Sequence, residues 1–174
     1  MNRGAGLVAA AAIGLLAACA KHQPFAGDGR LIDHGVTAPD QRYEIEFGPV
    51  DLSRVGTTHF RMRGLPDTYF VVGLQFPRPA DAGGTAAPTT PADVSIQVYQ
   101  ENHGMAALVT TPLRDWKWLP SKQKDSVFAY LPQSPRSYFD AFSEARYQLT
   151  VTVNVPDPAL PRGALAVLKS AGWK

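Results

Sequence analysis

Two tryptophans, two glutamates and four histidines are the side chains whose types and spacing in this 174-residue chain invite a chemical reading. Trp116 and Trp118, at i and i+2 on an extended segment, project to one face of a sheet with Lys117 opposite. An exposed pair of this kind would form a ligand-binding platform, stacking on a sugar ring or a partner's apolar patch. Leu113 and Leu119 surround them, and indoles are mostly buried, so a place in the core is the favoured reading. Glu44 and Glu46 also share a strand face, about 6.8 Å apart at about 3.4 Å per residue. Two carboxylates at that separation suit a hydrolase. The next strand carries Arg61 and Arg63 on its polar face, however, and a cross-strand charge ladder worth about 0.2–1 kcal/mol per pair is favoured over catalysis. His22, His34, His59 and His103 never fall at metal-ligand spacing, and a zinc site needs three or four converging ligands. His22 and His34 are expected to be solvated linker residues, His59 to lie on a polar strand face, and His103 in a turn. The chain has no Gly-x-Ser-x-Gly elbow, no phosphate-binding Gly-Lys-Ser/Thr and no His-Glu-x-x-His. No catalytic residue, metal or cofactor is therefore expected, and the chain reads as a binding or structural protein rather than an enzyme.

Cys19 is the single cysteine, and it follows Leu16-Ala17-Ala18. Ahead of it, Arg3 gives a positive start and Gly4 to Leu15 is an uncharged run of small and aliphatic residues. A membrane-spanning helix needs about 20 predominantly apolar residues, and this Ala- and Gly-rich run stops short of that. An aliphatic residue, two small residues and a cysteine after such a run resemble the lipobox of bacterial lipoproteins. The resemblance implies that residues 1–18 are a signal peptide and that Cys19 becomes the acylated N-terminus, so that the membrane is its first partner. Each buried CH₂ of an acyl chain contributes about 0.8 kcal/mol, and the several chains such lipoproteins carry make the attachment lasting. Ala20, where an Asp favours inner-membrane retention, resembles the outer-membrane class. The mature domain then has no thiol for disulfides, nucleophilic catalysis or metal ligation.

Of 17 basic and 15 acidic side chains only Arg3 lies in the signal segment, which leaves a charge of roughly +1. That balance excludes a nucleic-acid partner, which would require a concentrated basic surface. Charged residues are few and Gly and Pro number 15 each, a mixture that predicts many turns and few helices.

Residues 19–41 lack sustained periodicity and predict a flexible tether carrying the lipidated end. The sandwich domain is expected over 42–174. Period-two alternation marks strands at 42–47, 58–63, 69–76 and 94–98. Glu101-Asn-His-Gly104 predicts a hairpin turn into 105–110, and further strands follow at 115–119 and 127–131. Tyr147, Leu149, Val151, Val153 and Val155 alternate without a miss against polar residues, giving the clearest strand, and Pro156-Asp-Pro158 ends it. A last strand around Leu165 and Val167 is expected to return antiparallel to it. Residues 77–93, rich in Pro, Ala, Gly and Thr, predict an exposed loop. A helix is allowed at 138–145, where Phe139 and Phe142 sit three apart.

About nine strands without a convincing helix predict an all-β fold, a single antiparallel β-sandwich of Ig-like or transthyretin-like kind. The run Ala145-Arg-Tyr147-Gln-Leu149-Thr-Val151 resembles the tyrosine corner that leads into a late strand of Ig-like sandwiches, where a Tyr hydroxyl bonds back to the preceding turn. The lipobox, the tether and strands such as Val94-Ser-Ile-Gln-Val-Tyr99 are also similar to the transthyretin-like lipoproteins of type VI secretion systems. The expected function is that of an outer-membrane lipoprotein whose sandwich binds an envelope protein or serves as an assembly component. The alternative is a carbohydrate- or peptidoglycan-binding module using Trp116 and Trp118.

Overall fold

The computed structural model describes residues 23–35, 42–77, 89–120, 126–132 and 134–170. Cys19, His22 and most of the 77–93 loop lie outside them. The strands are β1 (Ala26–Gly27), β2 (Arg30–Asp33), β3 (Tyr43–Val50), β4 (Gly56–Arg63), β5 (Tyr69–Pro77) and β6 (Asp93–Gln100). They continue with β7 (Gly104–Pro112), β8 (Lys117–Pro120), β9 (Ser126–Tyr130), β10 (Tyr138–Asp140), β11 (Arg146–Val155) and β12 (Ala164–Ser170). A five-stranded antiparallel sheet in the order β1-β4-β11-β6-β7 packs on a seven-stranded one in the order β2-β3-β12-β5-β9-β8, with β10 also paired to β5. The fold is an all-β sandwich.

Strand β11 shows why the pattern specifies this arrangement. Tyr147, Leu149, Val151 and Val153 point into the core, while Arg146, Gln148, Thr150 and Thr152 face out. The strand lies between β4 and β6, with Val151 opposite both Thr58 and Ile96. Phe70, Val72, Leu74 and Phe76 of β5 oppose it from the other sheet as part of one continuous core. Each such side chain gains about 1.5–3 kcal/mol on burial. The outer face of β5 is covered as well. Phe128 lies over Gly73, where a Cβ would collide with its ring, and packs with Val71 and Val167 in a second apolar cluster. Tyr130 stacks on Phe128 at 5.2 Å.

Five sequence expectations change. The ordered domain starts well before residue 42, because part of the expected tether is a strap joining both sheets. Ala26–Gly27 pairs with β4 of one sheet and Arg30–Asp33 with β3 of the other. Gly27 (φ 139°) and Gly29 (φ 126°) provide the left-handed backbone that crosses from sheet to sheet in so few residues. Phe25 and Leu31 add apolar contacts to the core. Residues 138–145 form β10 and a turn instead of a helix. Phe139 packs on Phe70 at 6.0 Å and on Tyr147 at 5.6 Å, while Phe142 is turned outward. Strand β12 does not return beside β11; the Pro156-Asp-Pro158 turn carries the chain across to the seven-stranded sheet, between β3 and β5. Asp157 fixes that turn by donating its N–H to Leu52 O (2.9 Å) and accepting from Thr90 Oγ1 (2.6 Å). Thr90 and Ala92 are thereby buried, so the end of the expected exposed loop packs on the body. Val155, expected inside, is exposed after a register shift between Val153 and Val155.

Candidate functional site

Trp116 and Trp118 do not form a platform. Trp116 closes the 3-10 turn Leu113–Asp115 and is 3% exposed, while Trp118 lies in β8 and is 8% exposed. Trp118 packs on Phe76 at 4.7 Å. The indole N–H groups are satisfied locally, that of Trp116 by Thr111 Oγ1 (2.9 Å) and that of Trp118 by Leu113 O (3.3 Å). Neither of these two indole faces is open to a sugar ring, so the ligand-binding role expected as an alternative for this pair is withdrawn.

Glu44 and Glu46 are paired, though not with Arg61 and Arg63. Those arginines belong to β4 of the opposite sheet, because β3 pairs with β2 and β12. Arg30 holds Glu46 at 2.6 Å. Glu44 is buried and bonds Lys169 Nζ through Oε1 (3.4 Å) and His34 Nε2 through Oε2 (3.2 Å). The Lys169 ammonium also sits 4.7 Å from the centre of the Phe128 ring, a cation–π contact. His34 is thus part of a buried cluster that fastens the strap, and not a solvated linker residue. These three side chains, from 3% to 10% exposed, leave no room for a substrate between them. His59 bonds Thr150 Oγ1 (3.0 Å) on the outer sheet face, and His103 lies in the β6–β7 turn, as expected. Among the described residues no group of three His, Cys, Asp or Glu side chains could hold a metal ion.

The outer face of the five-stranded sheet is polar and ordered. Cross-strand hydroxyls of Thr57 and Thr152 approach to 3.2 Å, and Asn154 donates to Ser95 Oγ at 2.8 Å. Toward one end its character changes. Tyr99, Gln148 and Arg61 form one cross-strand row, and Arg146 stands directly opposite Arg63 in the next. Like charges so placed repel. Glu101 relieves Arg146 at 3.7 Å, whereas no carboxylate pairs with Arg61 or Arg63 among the described residues. A depression of about 620 Å³ is lined here by Arg61, Arg63, Tyr99, Arg146 and Gln148.

Of the six large apolar side chains left exposed among the described residues, four lie toward this end: Tyr99 and Met105 on the outer face of the five-stranded sheet, Tyr69 on that of the seven-stranded sheet, and Phe142 in the turn before β11. Tyr99 and Met105 are cross-strand partners, Tyr69 is opposite Asp140, and Phe142 lines a depression with His103 and Arg146. The other two, Val55 and Val155, lie at the far end, by Gly56 and Val153. Gly56 and Arg63 are about 24 Å apart along β4 at about 3.4 Å per residue.

The strap enters at the same end. A Cβ on Gly64 (φ 69°) would collide with the carbonyl oxygens of Gln23 and Pro24, so the first described residues lie against the β4–β5 turn. They share a depression with Pro66, Asp67 and Ser143. Alternation in β6 already placed Tyr99 on the polar face, which was the available sign of an exposed aromatic. The position of Tyr69, Met105 and Phe142 toward the same end depends on turns and had no such sign.

No protein-family model matches the chain, and none of the curated proteins matches it.

Proposed function

We propose that this protein is a lipid-anchored outer-membrane component that acts by binding, with its sandwich held close to the bilayer. The lipobox-like Leu16-Ala17-Ala18-Cys19 supports the anchor. The observation that carries the close placement is the strap. Gln23 already lies against the Gly64 turn, only four residues beyond Cys19. Four extended residues span at most about 14 Å at about 3.5 Å each, where a tether reaching to residue 41 would have allowed far more. One defined end of the domain therefore faces the membrane, and the polar outer face of the five-stranded sheet is presented beside it to an envelope partner.

Mass spectrometry of the N-terminal peptide tests the anchor, with acylated Cys19 as the expected species. Cys19→Ser should move the protein from the membrane to the soluble fraction with the sandwich intact. An exported protein that retains an unmodified Met1 overturns the reading.

A further inference from the structure

We infer that the end of the sandwich from which the anchor leaves is itself a membrane-binding surface, seated in the headgroup region of the phospholipid leaflet that holds the acyl chains. The inference rests on acylation of Cys19 and adds a second, protein-made contact to it.

Tyr69, Tyr99, Met105 and Phe142 are each about half exposed at this end. Aromatic side chains with a polar tip favour the boundary between headgroups and acyl chains, and apolar ones gain by entering it. Arg61 and Arg63 lack a carboxylate partner among the described residues and flank Tyr99 across the sheet. Guanidinium groups so placed can take lipid phosphates in bidentate fashion while the rings enter the interface. The acidic groups nearby are mostly engaged. Asp67 accepts from Ser143 N (2.6 Å), Asp28 from Arg61 N (2.8 Å), and Glu101 pairs with Arg146. Glu144 is exposed and Asp140 stands opposite Tyr69, so this end carries five carboxylates against the three arginines 61, 63 and 146. Insertion and phosphate contacts hold the surface, rather than a bulk positive field. The chain between Cys19 and Gln23 fixes the partner, because a bilayer holding Cys19 lies within about 14 Å of this end. The several acyl chains on Cys19 hold the protein to the bilayer by themselves, and the protein-made contact sets how the domain is seated on it. The far end exposes only Val55 and Val155 among the described large apolar side chains, and Arg54 there is paired with Asp51 at 2.8 Å.

The experiment uses the full acylated protein reconstituted in vesicles of mixed phosphatidylethanolamine and phosphatidylglycerol. With Cys19 acylated, single cysteines at Phe142, Met105 and Val55 can each carry an environment-sensitive fluorophore without a competing thiol. Emission from buried Trp116 and Trp118 confirms that each variant is folded. Acyl-chain-brominated lipid should quench the labels at positions 142 and 105 several-fold more than the label at 55. Arg61→Gln with Arg63→Gln should lower the quenching at 105. Equal, weak quenching at all three positions in protein that floats with the vesicles overturns the docking surface and leaves the anchor standing. Protein that fails to float, with unacylated Cys19, overturns both.

Discussion

The hydroxyl oxygen of Tyr147 accepts a hydrogen bond from the backbone N–H of Phe142 at 2.9 Å, closing the turn that leads into β11. The Tyr147 ring is buried against Phe139, so the bond links the core to the end of the sandwich where Phe142 is turned out. This is the contact that the tyrosine-corner resemblance implied. Tyr147→Phe keeps the ring and deletes only the acceptor. The expected loss is about 1 kcal/mol in urea titration, the net worth of one such bond, with part of it due to the unsatisfied Phe142 N–H.

The same residue gives an alkaline prediction. Burial pushes the Tyr147 hydroxyl above its ordinary range, and the Phe142 N–H, which favours the phenolate, only partly opposes this. Tyr138 is raised too, by burial and then by Tyr130. A raised folded value means that the unfolded chain ionises first as pH rises. Stability from these groups is therefore complete below pH about 10 and falls as pH climbs from there through the folded values. Urea midpoints measured across this window should decline, and Tyr147→Phe should decline less steeply. An equal slope in both proteins would mean that Tyr147 titrates as it does when unfolded.

The Glu44 cluster should be costly to break and cheap to replace. Glu44→Ala leaves the buried Lys169 ammonium without its carboxylate, a change expected to cost about 3–5 kcal/mol. Glu44→Leu combined with Lys169→Met removes both charges and should recover most of that loss. Both sets of urea midpoints decide the matter, and a double variant as unstable as Glu44→Ala would show that the pair adds stability beyond cancelling its own desolvation.

The sheets were legible where burial is one-sided. In β6, and in β11 as far as Val153, every second residue faces the core, so period two appears directly in the sequence. Pairing was less legible, because alternation gives a strand's faces and not its neighbours. Glu44 and Arg61 suggested a ladder between successive strands, yet β3 and β4 belong to different sheets. The strap was hidden for another reason. Its strands are two and four residues long, too short for a period, and their glycines read as linker. Lys169 was equally silent, since a buried lysine is legible only once Glu44 and Phe128 are seen around it.

Gly27 tests the strap. A Cβ there would collide with Arg61 O, and its φ of 139° disfavours any L side chain. Gly27→Ala should release β1 from β4 while β11 and its neighbours stay folded. Hydrogen exchange should then quicken at Gly27 and its β4 partner Met62, with Val151 unchanged. Limited proteolysis should find a new cut between residues 23 and 29. Global unfolding in this variant would mean that the strap is required by the core and not fastened onto it.

Val151 and Thr152 test the register of the sandwich. Val151 is fully buried at the middle of β11, flanked on the same face by Leu149 and Val153. Val151→Asp places a carboxylate among apolar side chains with no partner, and such a change belongs with the largest single-residue losses, above about 4 kcal/mol. Thr152 points to the opposite face, where its hydroxyl lies 3.2 Å from Thr57 Oγ1. Thr152→Asp loses that contact but keeps its charge near water, so the expected change is within about 1 kcal/mol. A one-residue slip of β11 would exchange the two outcomes. Urea titrations of both variants read this directly. If both are severe, the outer face of the five-stranded sheet is covered in solution, and it cannot be the surface offered to a partner. If both are mild, β11 is not central to the core. A severe loss in the first and near-neutrality in the second is the result that the present register requires, because only then do Leu149, Val151 and Val153 share the interior while Thr150 and Thr152 share the outer face.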